Sequence, residues 1–434
     1  MLNKIKEVIK NGMPYLYRSI IMAFYIKLPY YALMHFFRLI LIKKRKKAKI
    51  IFFASSLGMW RYERLFLLFS NDKRFNTFLI LQPFSTYTLD SQREDIDRLR
   101  QYFDRRNIKY VDMTENPEEK LEWFKDINAD IIFYPQPYYG MYANKLDPKY
   151  NRCKLFCYCP YGIVTLETPS LYNEPFQNIS WKLFYPTKYH LLDASKYAYN
   201  QGRNVIVSGD LNGENFSDCT LKNPWKNAST NRKRVIWAPH FTIMRNAILS
   251  RGSFLWLSDF MKEFAIKYKD KVQIAFKPHP RLKSELYKHP SWGKTKTDQY
   301  YDFWDSIENG QLEEGDYLGL FFYSDAMIHD CGSFSAEYLY VNKPCIFTTK
   351  DINSTISDLN KFGRECINLH YLGDSIDTVS PLLTDIVLHG KDPYKHKRNE
   401  FVENILSPNK DVPCSISIYN HILDGLGFKS FMTT

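Results

Sequence analysis

The sequence predicts an α/β protein in which two successive halves, each a parallel sheet covered by helices, face a common cleft. Three observations support this prediction. The chain has 434 residues, which is too long for one ordinary hydrophobic core. Short apolar runs alternate with charged segments of helical period, as they do in parallel sheets. The same alternation begins a second time at about residue 204, so we expect two Rossmann-like domains.

The first half contains five short apolar runs that we interpret as buried strands. They lie at 49–54, 75–82, 108–113, 130–134 and 154–158. The segments 90–106 and 116–128 have helical period, and the second carries acidic residues early, as the helix dipole prefers. We assign 49–195 to an N-terminal Rossmann-like domain.

The second half repeats the pattern with strands at 204–208, 234–238, 272–276, 326–328 and 345–348 and a helix at 254–268. We assign 196–390 to a C-terminal, nucleotide-binding domain. The remaining segment, 391–434, has helical character on either side of a proline-containing turn. We expect it to pack back on the first domain.

The N-terminus combines apolar and basic residues. The apolar segment 19–42 is followed directly by a basic block at 43–49, and the chain as a whole carries a formal charge of +12. Lys27, Arg38 and Pro29 interrupt the apolar segment, so a membrane-spanning helix is not predicted. We predict an amphipathic segment at 1–48 that binds an anionic membrane surface through 19–49. A pair of helices packed on the protein itself is the alternative.

Other classes of function find little support in the composition. No recognised nucleic-acid module accompanies the positive charge, so no nucleic-acid partner is predicted. Eight cysteines do not make a disulfide framework, and no convincing secretory signal is present, which indicates the reducing cytoplasm. The closely spaced Cys153, Cys157 and Cys159 are interpreted as strand residues. Asp95 and Asp97 form a DxD string inside a predicted helix, so no metal is assigned.

The segment 323–344 is the most informative part of the chain. It predicts a buried strand, a turn of small residues and a helix, and this layout offers free backbone N–H groups to an anion. The expected ligands of a nucleotide diphosphate are Asp330, Gly332, Ser333, Phe334 and Ser335. Glu337, one turn further on, is placed to bind ribose hydroxyls. Ordinary helix capping uses the same donors and remains an open alternative.

Three potentially cationic side chains close the strand at 272–276. His279 lies between two prolines, and its reference pKa near physiological pH suits it to bind or protonate a phosphate oxygen. Lys277 and Arg281 share its side of the chain only if the prolines allow an extended path. His240, just after the strand 234–238, is a second catalytic candidate. A rigid strand end with solvated charges is the alternative.

The order of these motifs resembles the CDP-glycerol glycerophosphotransferase family, which makes teichoic acids and some capsules. The resemblance spans about 204–350 and is carried by Ala238-Pro239, Lys277-Pro278-His279-Pro280, Asp330-Cys331-Gly332-Ser333 with Glu337, and Lys343-Pro344. It implies the two-domain GT-B architecture and a peripheral location on the cytoplasmic face of the membrane. The donor would be CDP-glycerol, and no separate cofactor is expected.

One part of the family pattern is missing. Family members usually carry a histidine-containing segment in the first domain, whose histidine is implicated as the catalytic base. The corresponding segment here, 157–162, has no histidine. Either His240 supplies the base or the acceptor differs. Tyr161 and Glu167 follow in the same loop and are predicted acceptor contacts.

The leading hypothesis is therefore a transferase that moves glycerol phosphate from CDP-glycerol onto a surface polysaccharide, a teichoic-acid-like polymer or a lipid-linked acceptor. One alternative is a GT-B glycosyltransferase that uses a nucleotide sugar. Another is a non-catalytic membrane scaffold or nucleotide sensor. The sequence does not determine the oligomeric state.

Overall fold

The computed structural model describes residues 26–216, 221–226, 231–243, 252–315, 317–410 and 412–429. These residues form two sheets in which every strand pair is parallel, each covered by helices. The predicted α/β class with two parallel sheets is confirmed. Residues 1–25 of the predicted membrane segment lie outside the described part.

The first sheet has the strand order β3-β2-β1-β4-β5-β6-β7. Its strands are β1 (Ala48–Ala54), β2 (Phe75–Leu81), β3 (Val111–Asp112), β4 (Ile131–Phe133), β5 (Leu155–Tyr158), β6 (Lys182–Tyr185) and β7 (Val205–Val207). Strand β7 pairs with β6, starting at Leu183↔Val205. The sequence pattern had predicted this strand as part of the second domain. The first sheet thus extends past the predicted boundary at residue 195, because the short β6 was not recognised.

The first domain is covered by helices on both faces. They are α1 (Leu28–Arg45), α2 (Glu63–Asn71), α3 (Leu89–Asp104), α4 (Pro117–Ile127), α5 (Pro175–Ile179) and α6 (Lys188–Tyr197). The core between them is strongly aromatic. Phe52 of β1, for example, stacks on Phe133 of β4 with ring centroids 4.6 Å apart. The side chain of Thr88 caps α3 at the position where the charged period begins.

The second sheet has the order β10-β9-β8-β11-β12-β13. Its strands are β8 (Lys233–Ala238), β9 (Val272–Phe276), β10 (Gly310–Leu312), β11 (Ala326–His329), β12 (Cys345–Thr348) and β13 (Tyr371–Gly373). Helix α7 (Leu211–Asn215) precedes it, and the helices that follow are α8 (Phe254–Lys267), α9 (Leu282–Lys288), α10 (Gly293–Ser306), α11 (Leu318–Tyr323), α12 (Phe334–Glu337), α13 (Ile352–Ser357), α14 (Lys361–Ile367), α15 (Ile376–Leu382) and α16 (Lys395–Phe401).

The two domains are joined by more than the linker. The segment that follows β5 crosses to the second domain, where Leu166 forms an antiparallel bridge with Leu359. The N–H of Asn360 donates to the carbonyl of Thr165 at 3.0 Å. A Cβ on Gly363 would collide with that same carbonyl, so only glycine fits where α14 meets the segment. These contacts hold the carboxyl ends of the two sheets close together.

Both ends of the chain pack on the first domain. Helix α17 (Cys414–Leu426) inserts Ile418, Ile422 and Leu423 into the core that contains Phe52. Helix α1 crosses the amino ends of β4 and β5, where Arg38 donates to the carbonyl of Cys153. No helix among the described residues is long and apolar enough to cross a membrane.

Candidate active site

The carboxyl ends of β8 and β9 bring two histidines together. The rings of His240 and His279 lie 4.8 Å apart between centroids. Phe241 contacts both rings at 4.4 and 4.5 Å, and the guanidinium of Arg281 lies 4.1 Å above the Phe241 ring. The sequence predicted these two histidines separately, and the pairing of β8 with β9 makes them neighbours.

Both imidazoles are neutral at physiological pH in this arrangement. Burial, followed by nearby His240, Arg281 and Lys277, lowers the pKa of His279 to about 3. Burial, followed by Arg281, lowers the pKa of His240 to about 4. The Nδ1 of His279 accepts the backbone N–H of Arg281 at 3.1 Å, so the neutral ring carries its proton on Nε2. His279 therefore presents an N–H donor to any anion bound beside it.

Asp330 holds the histidine loop in place and is not open to a nucleotide. Its carboxylate accepts the backbone N–H of His240 and both the N–H and the hydroxyl of Ser253. Both carboxylate oxygens are thus occupied, and the residue is buried. The prediction that Asp330 binds the diphosphate is wrong for this arrangement. A carboxylate would also repel a phosphate, and here its charge is used on internal donors.

The turn at Gly332 and Ser333 is half-buried at the domain interface. Within the described residues, the backbone N–H groups of Gly332 and Ser333 have no hydrogen-bond partner. The turn faces the first domain, because a Cβ on Gly162 would lie 3.5 Å from the Cβ of Ser333. Two of the predicted anion donors, the N–H groups of Gly332 and Ser333, are therefore not used by bonds within the described residues.

Two other predicted ligands on this segment are engaged elsewhere. The Ser335 hydroxyl is buried and donates to the carbonyl of Cys331 at 3.3 Å. The Phe334 ring packs 5.0 Å from Phe321 and 5.3 Å from Tyr317. The prediction that Ser335 binds phosphate is not supported by this position, because the first turn of α12 directs its hydroxyl back to the backbone.

Glu337 belongs to a buried network that joins the two domains. Its carboxylate accepts from the hydroxyl of Tyr317, which in turn accepts from Asn212 at 2.9 Å. Arg61 of the first domain stabilises the charged carboxylate of Glu337, while Asp210 destabilises it. Burial dominates and raises the pKa of Glu337 to about 7. Its assignment to a ribose remains a prediction, and a ribose would have to displace the Tyr317 hydroxyl.

The position of Lys277 corrects another prediction. Its ammonium is buried and donates to the carbonyl of Gly315 at 2.8 Å, near the ring of Tyr317. Pro278 and Pro280 interrupt the strand alternation, so Lys277 and His279 do not share one side as an extended chain would require. Arg281 stays beside the histidines with its side chain largely exposed.

The first domain contributes aromatic and acidic groups to the opposite wall. Tyr161 is half-buried, and its carbonyl accepts from Arg61. Tyr87 interacts electrostatically with Tyr161 and also with Arg281 across the cleft. Nothing in the sequence marked Tyr87, and the helical period around Asp95 predicted a solvated side chain. Burial raises the pKa of Asp95, which lies near Tyr87, to about 6.

Glu167 lies apart from the histidine pair. Its carboxylate is exposed and accepts from Tyr197 of α6, and its N–H donates to the carbonyl of Asp358 at 2.9 Å. The predicted acceptor contact is not supported by this position, because the segment after Tyr161 turns away to join the second domain.

Three potential metal ligands lie buried behind the turn at Gly332. The ligand atoms of His329, Cys345 and His370 are within 4.8 Å of one another. The Nδ1 of His370 donates to the carbonyl of Cys366, which leaves a lone pair on Nε2. The Nδ1 of His329 accepts the N–H of Cys331, which places the proton of a neutral ring on Nε2. If a metal bound the Nε2 of His329, the ring proton would have to lie on Nδ1, where it would point at the N–H of Cys331 and break that hydrogen bond. Both Nε2 atoms are buried without a hydrogen-bond partner, that of His329 in the donor form and that of His370 in the acceptor form.

Comparisons with known proteins agree with the motifs. Residues 213–422 match the family model described as CDP-Glycerol:Poly(glycerophosphate) glycerophosphotransferase. This range includes His240, His279, Gly332, Ser333 and Glu337. Among curated proteins, none matches this chain significantly by sequence. The match to the family model confirms the resemblance predicted from the sequence, and with it the predicted class, a transferase of the CDP-glycerol glycerophosphotransferase type.

Solved structures share the fold at low sequence identity. A variant of the wall teichoic acid polymerase TagF, soaked with CDPG, has a TM-score of 0.57 and 12% identity, over 93% of this chain and 98% of that chain. MnaA of S. aureus, solved with UDP, has a TM-score of 0.55 and 15% identity, over 89% and 99%. The UDP-GlcNAc 2-epimerase of Neisseria meningitidis bound to UDP-GlcNAc has a TM-score of 0.52 and 17% identity, over 87% and 100%. The shared fold is the two-domain α/β architecture, consistent with the GT-B type.

Proposed function

We propose that this protein transfers glycerol phosphate from CDP-glycerol onto a hydroxyl of a surface glycan or lipid-linked acceptor, at the cytoplasmic face of the membrane. The main support is the pair His240 and His279, held between the two domains within the region of the family match. TagF, which has the same fold, was solved with CDPG. The proposal includes no cofactor beyond the donor itself.

The proposed chemistry assigns a different task to each histidine. The acceptor hydroxyl oxygen attacks the phosphorus that carries glycerol, the bond from that phosphorus to CMP breaks, and CMP leaves. The proton of the hydroxyl passes to His240, whose Nδ1 is hydrogen-bonded to the Thr242 hydroxyl at 3.1 Å. The Nε2–H of His279 and the free N–H groups at Gly332 and Ser333 stabilise the charge on the diphosphate.

The charge of the donor would change the protonation of these rings. A bound diphosphate brings negative charge to a site where burial and neighbouring cations now hold both histidines neutral. Opposite charge within a few ångströms raises an imidazole pKa. Donor binding would therefore move both pKa values back toward the physiological range, where proton transfer is efficient.

A transfer assay with matched variants tests this proposal. The purified protein is incubated with CDP-glycerol and acceptor extract, and both CMP release and the mass gain of the acceptor are recorded. We expect His279→Gln and His240→Gln each to lower kcat by about 10²- to 10⁴-fold. His289→Gln is the control, because His289 is a half-buried histidine that binds the N–H of Ser291 outside this cluster.

The same assay distinguishes the alternatives. Release of a nucleoside diphosphate with transfer of a sugar, when nucleotide sugars replace CDP-glycerol, would replace the proposal by the glycosyltransferase hypothesis. Normal polymer production in cells by the double variant His279→Ala, Ser333→Ala would indicate a non-catalytic scaffold or sensor.

The membrane location is supported by the outer face of α1. Large apolar side chains on this face are exposed at spacings of three and four residues, namely Tyr30, Leu33, Phe37, Ile40 and Leu41. The last turn of the helix is basic, with Lys43, Lys44 and Arg45. An apolar face that ends in a cationic cluster suits the surface of an anionic bilayer.

A further inference from the structure

Two neighbouring strands of the first sheet end in tyrosines, and two more tyrosines lie on the adjoining loops. Tyr158 is the last residue of β5 and Tyr185 the last residue of β6. Tyr158 is in register with Leu183, two residues before Tyr185, so both tyrosines extend from the same face of the sheet. Tyr138 lies on the loop after β4, and Tyr161 on the loop after β5. All four lie at the carboxyl edge of the sheet, which faces the cleft.

The four side chains interact with one another. After burial, Tyr138, Tyr161 and Tyr185 help to raise the pKa of Tyr158, so the four phenols lie near one another, and Tyr138 also lies near Glu174. Burial raises the pKa of each phenol, so all four hydroxyls stay protonated at neutral pH. Each can therefore both donate and accept a hydrogen bond.

These hydroxyls have no partner within the described residues, and none of them is sealed off. None of the four makes a side-chain hydrogen bond there, and none belongs to the buried oxygens that lack a partner. Other buried phenols of the domain do find partners, for example Tyr62 with the carbonyl of Tyr134, and Tyr134 with that of Leu146. Buried tyrosines usually bond their hydroxyls within the protein, so four hydroxyls that have no protein partner and are not sealed are open to an external ligand.

The cluster is connected to the proposed catalytic groups. Tyr87 interacts with both Tyr161 and Arg281, and Arg281 stacks on the Phe241 ring that contacts both histidines. Tyr161 is therefore the member of the cluster that is linked, through Tyr87 and Arg281, to the histidine pair.

The charges around the cluster argue for an uncharged ligand. Arg61, the cation nearest to Tyr161, is already bonded to Asp210 and to the carbonyls of Pro160 and Tyr161. The acidic Glu174 lies beside Tyr138, and the exposed cation Arg281 lies beyond Tyr87, next to the histidines. Among the described residues, a phosphate or carboxylate bound at the four tyrosines would therefore meet a cation that is already bonded and an acidic group, while a polyol would find four hydroxyls and the aromatic faces beside them.

We propose that Tyr138, Tyr158, Tyr161 and Tyr185 form the acceptor subsite and bind a neutral, polyhydroxylated chain end, a sugar or a polyol, and not a phosphate. This inference rests on the proposed function for the meaning of "acceptor", but binding itself can be measured without any transfer. It also explains how the first domain can serve an acceptor although its loop lacks the histidine of related enzymes.

Saturation-transfer NMR on the full chain tests the subsite with defined probes. These are methyl glucoside, methyl galactoside, methyl N-acetylglucosaminide, glycerol and inorganic phosphate. We expect at least one neutral probe to bind, and we expect Tyr138→Phe, Tyr158→Phe and Tyr161→Phe each to weaken it by about 3- to 10-fold. Tyr142→Phe is the control, because it deletes a sealed hydroxyl from the same core.

Donor binding is measured separately by calorimetry with CDP-glycerol, and the tyrosine variants should leave it unchanged. Absence of binding by all neutral probes, equal weakening by the Tyr142→Phe control, or competition by inorganic phosphate would each overturn the inference. If the wild-type protein does not bind CDP-glycerol but does bind a glycoside through the tyrosines, the proposed function is refuted while the acceptor subsite is still supported.

Discussion

Replacement of Arg61 by methionine should destabilise the contact between the two domains and lower the free energy of unfolding. The Arg61 guanidinium lies 3.3 Å from the Asp210 carboxylate, and both side chains are almost completely buried, at 2% and 3% exposure. It also donates to the carbonyls of Pro160 and Tyr161, and its charge stabilises the ionised form of Glu337. One cation thus compensates two buried carboxylates and fixes the loop that carries Tyr161.

The expected cost follows from what the substitution leaves behind. Removal of one partner from a buried ion pair typically costs about 3–5 kcal/mol, because the remaining charge is uncompensated. For Arg61→Met we expect a loss of this size in urea unfolding followed by tryptophan fluorescence. Lys226→Met is the control. The Lys226–Asp305 pair is solvent-exposed at 3.0 Å, and its loss should cost about 0–1 kcal/mol.

A double variant tests whether the uncompensated charge of Asp210 causes the loss of stability. In Arg61→Met with Asp210→Asn, the stranded carboxylate is gone, so the double variant should be more stable than the sum of the single losses predicts. Strict additivity, or a loss for Arg61→Met no larger than that for Lys226→Met, would show that the buried charges do not hold the domains together.

Three further outcomes are expected. Burial raises the pKa of Asp330 from 3.8 to about 6, so its stabilising effect is complete below pH 4 and is lost as the pH rises through 6. The free energy of unfolding of the wild type, minus that of Asp330→Asn, should therefore fall by about 3 kcal/mol between pH 4 and pH 7, and a flat difference would contradict this. Phe37→Ser with Leu41→Ser should abolish sedimentation with anionic vesicles while transfer to a soluble acceptor persists, and unchanged sedimentation would rule out α1 as the anchor. Ile422→Asp places a charge in the first-domain core and should lower the thermal midpoint by several degrees, whereas an unchanged midpoint would mean that α17 does not stabilise that domain.

The sequence identified the positions of the main motifs because strand ends in parallel sheets are marked by local patterns. The apolar run 272–276 followed by proline and histidine is β9 and its loop, and the run at 326–328 lies within β11. Strands of three or four residues with mixed composition, such as β6 and β13, carry too little periodicity to be recognised. The missed β6 is what moved the predicted domain boundary to residue 195.

The sequence could not tell which polar groups are free and which are used internally. Asp330, Ser335 and Lys277 all sit in motif segments, yet each is bonded to a nearby backbone group. The bonds of Asp330 and Lys277 depend on the meeting of segments far apart in the chain, for instance Ser253 with Asp330. Gly332 and Ser333 show the opposite result, since their N–H groups remain unpaired in the described residues.

The absence of a histidine from 157–162 constrains where the base can lie. The phenols of Tyr158 and Tyr161 occupy that segment. Burial raises the pKa of both, so both are already protonated near neutral pH and neither can act as the base. Glu167 is turned toward α6, and Glu337 is held by Tyr317 in the interdomain network. His240 remains beside His279 with its Nδ1 on Thr242 and its loop fixed by Asp330. If the base lies on the second domain, proton removal and diphosphate binding are performed by one rigid loop pair. The first domain is then left to select the acceptor, so changes in its tyrosines should alter acceptor preference without altering the pH dependence of kcat.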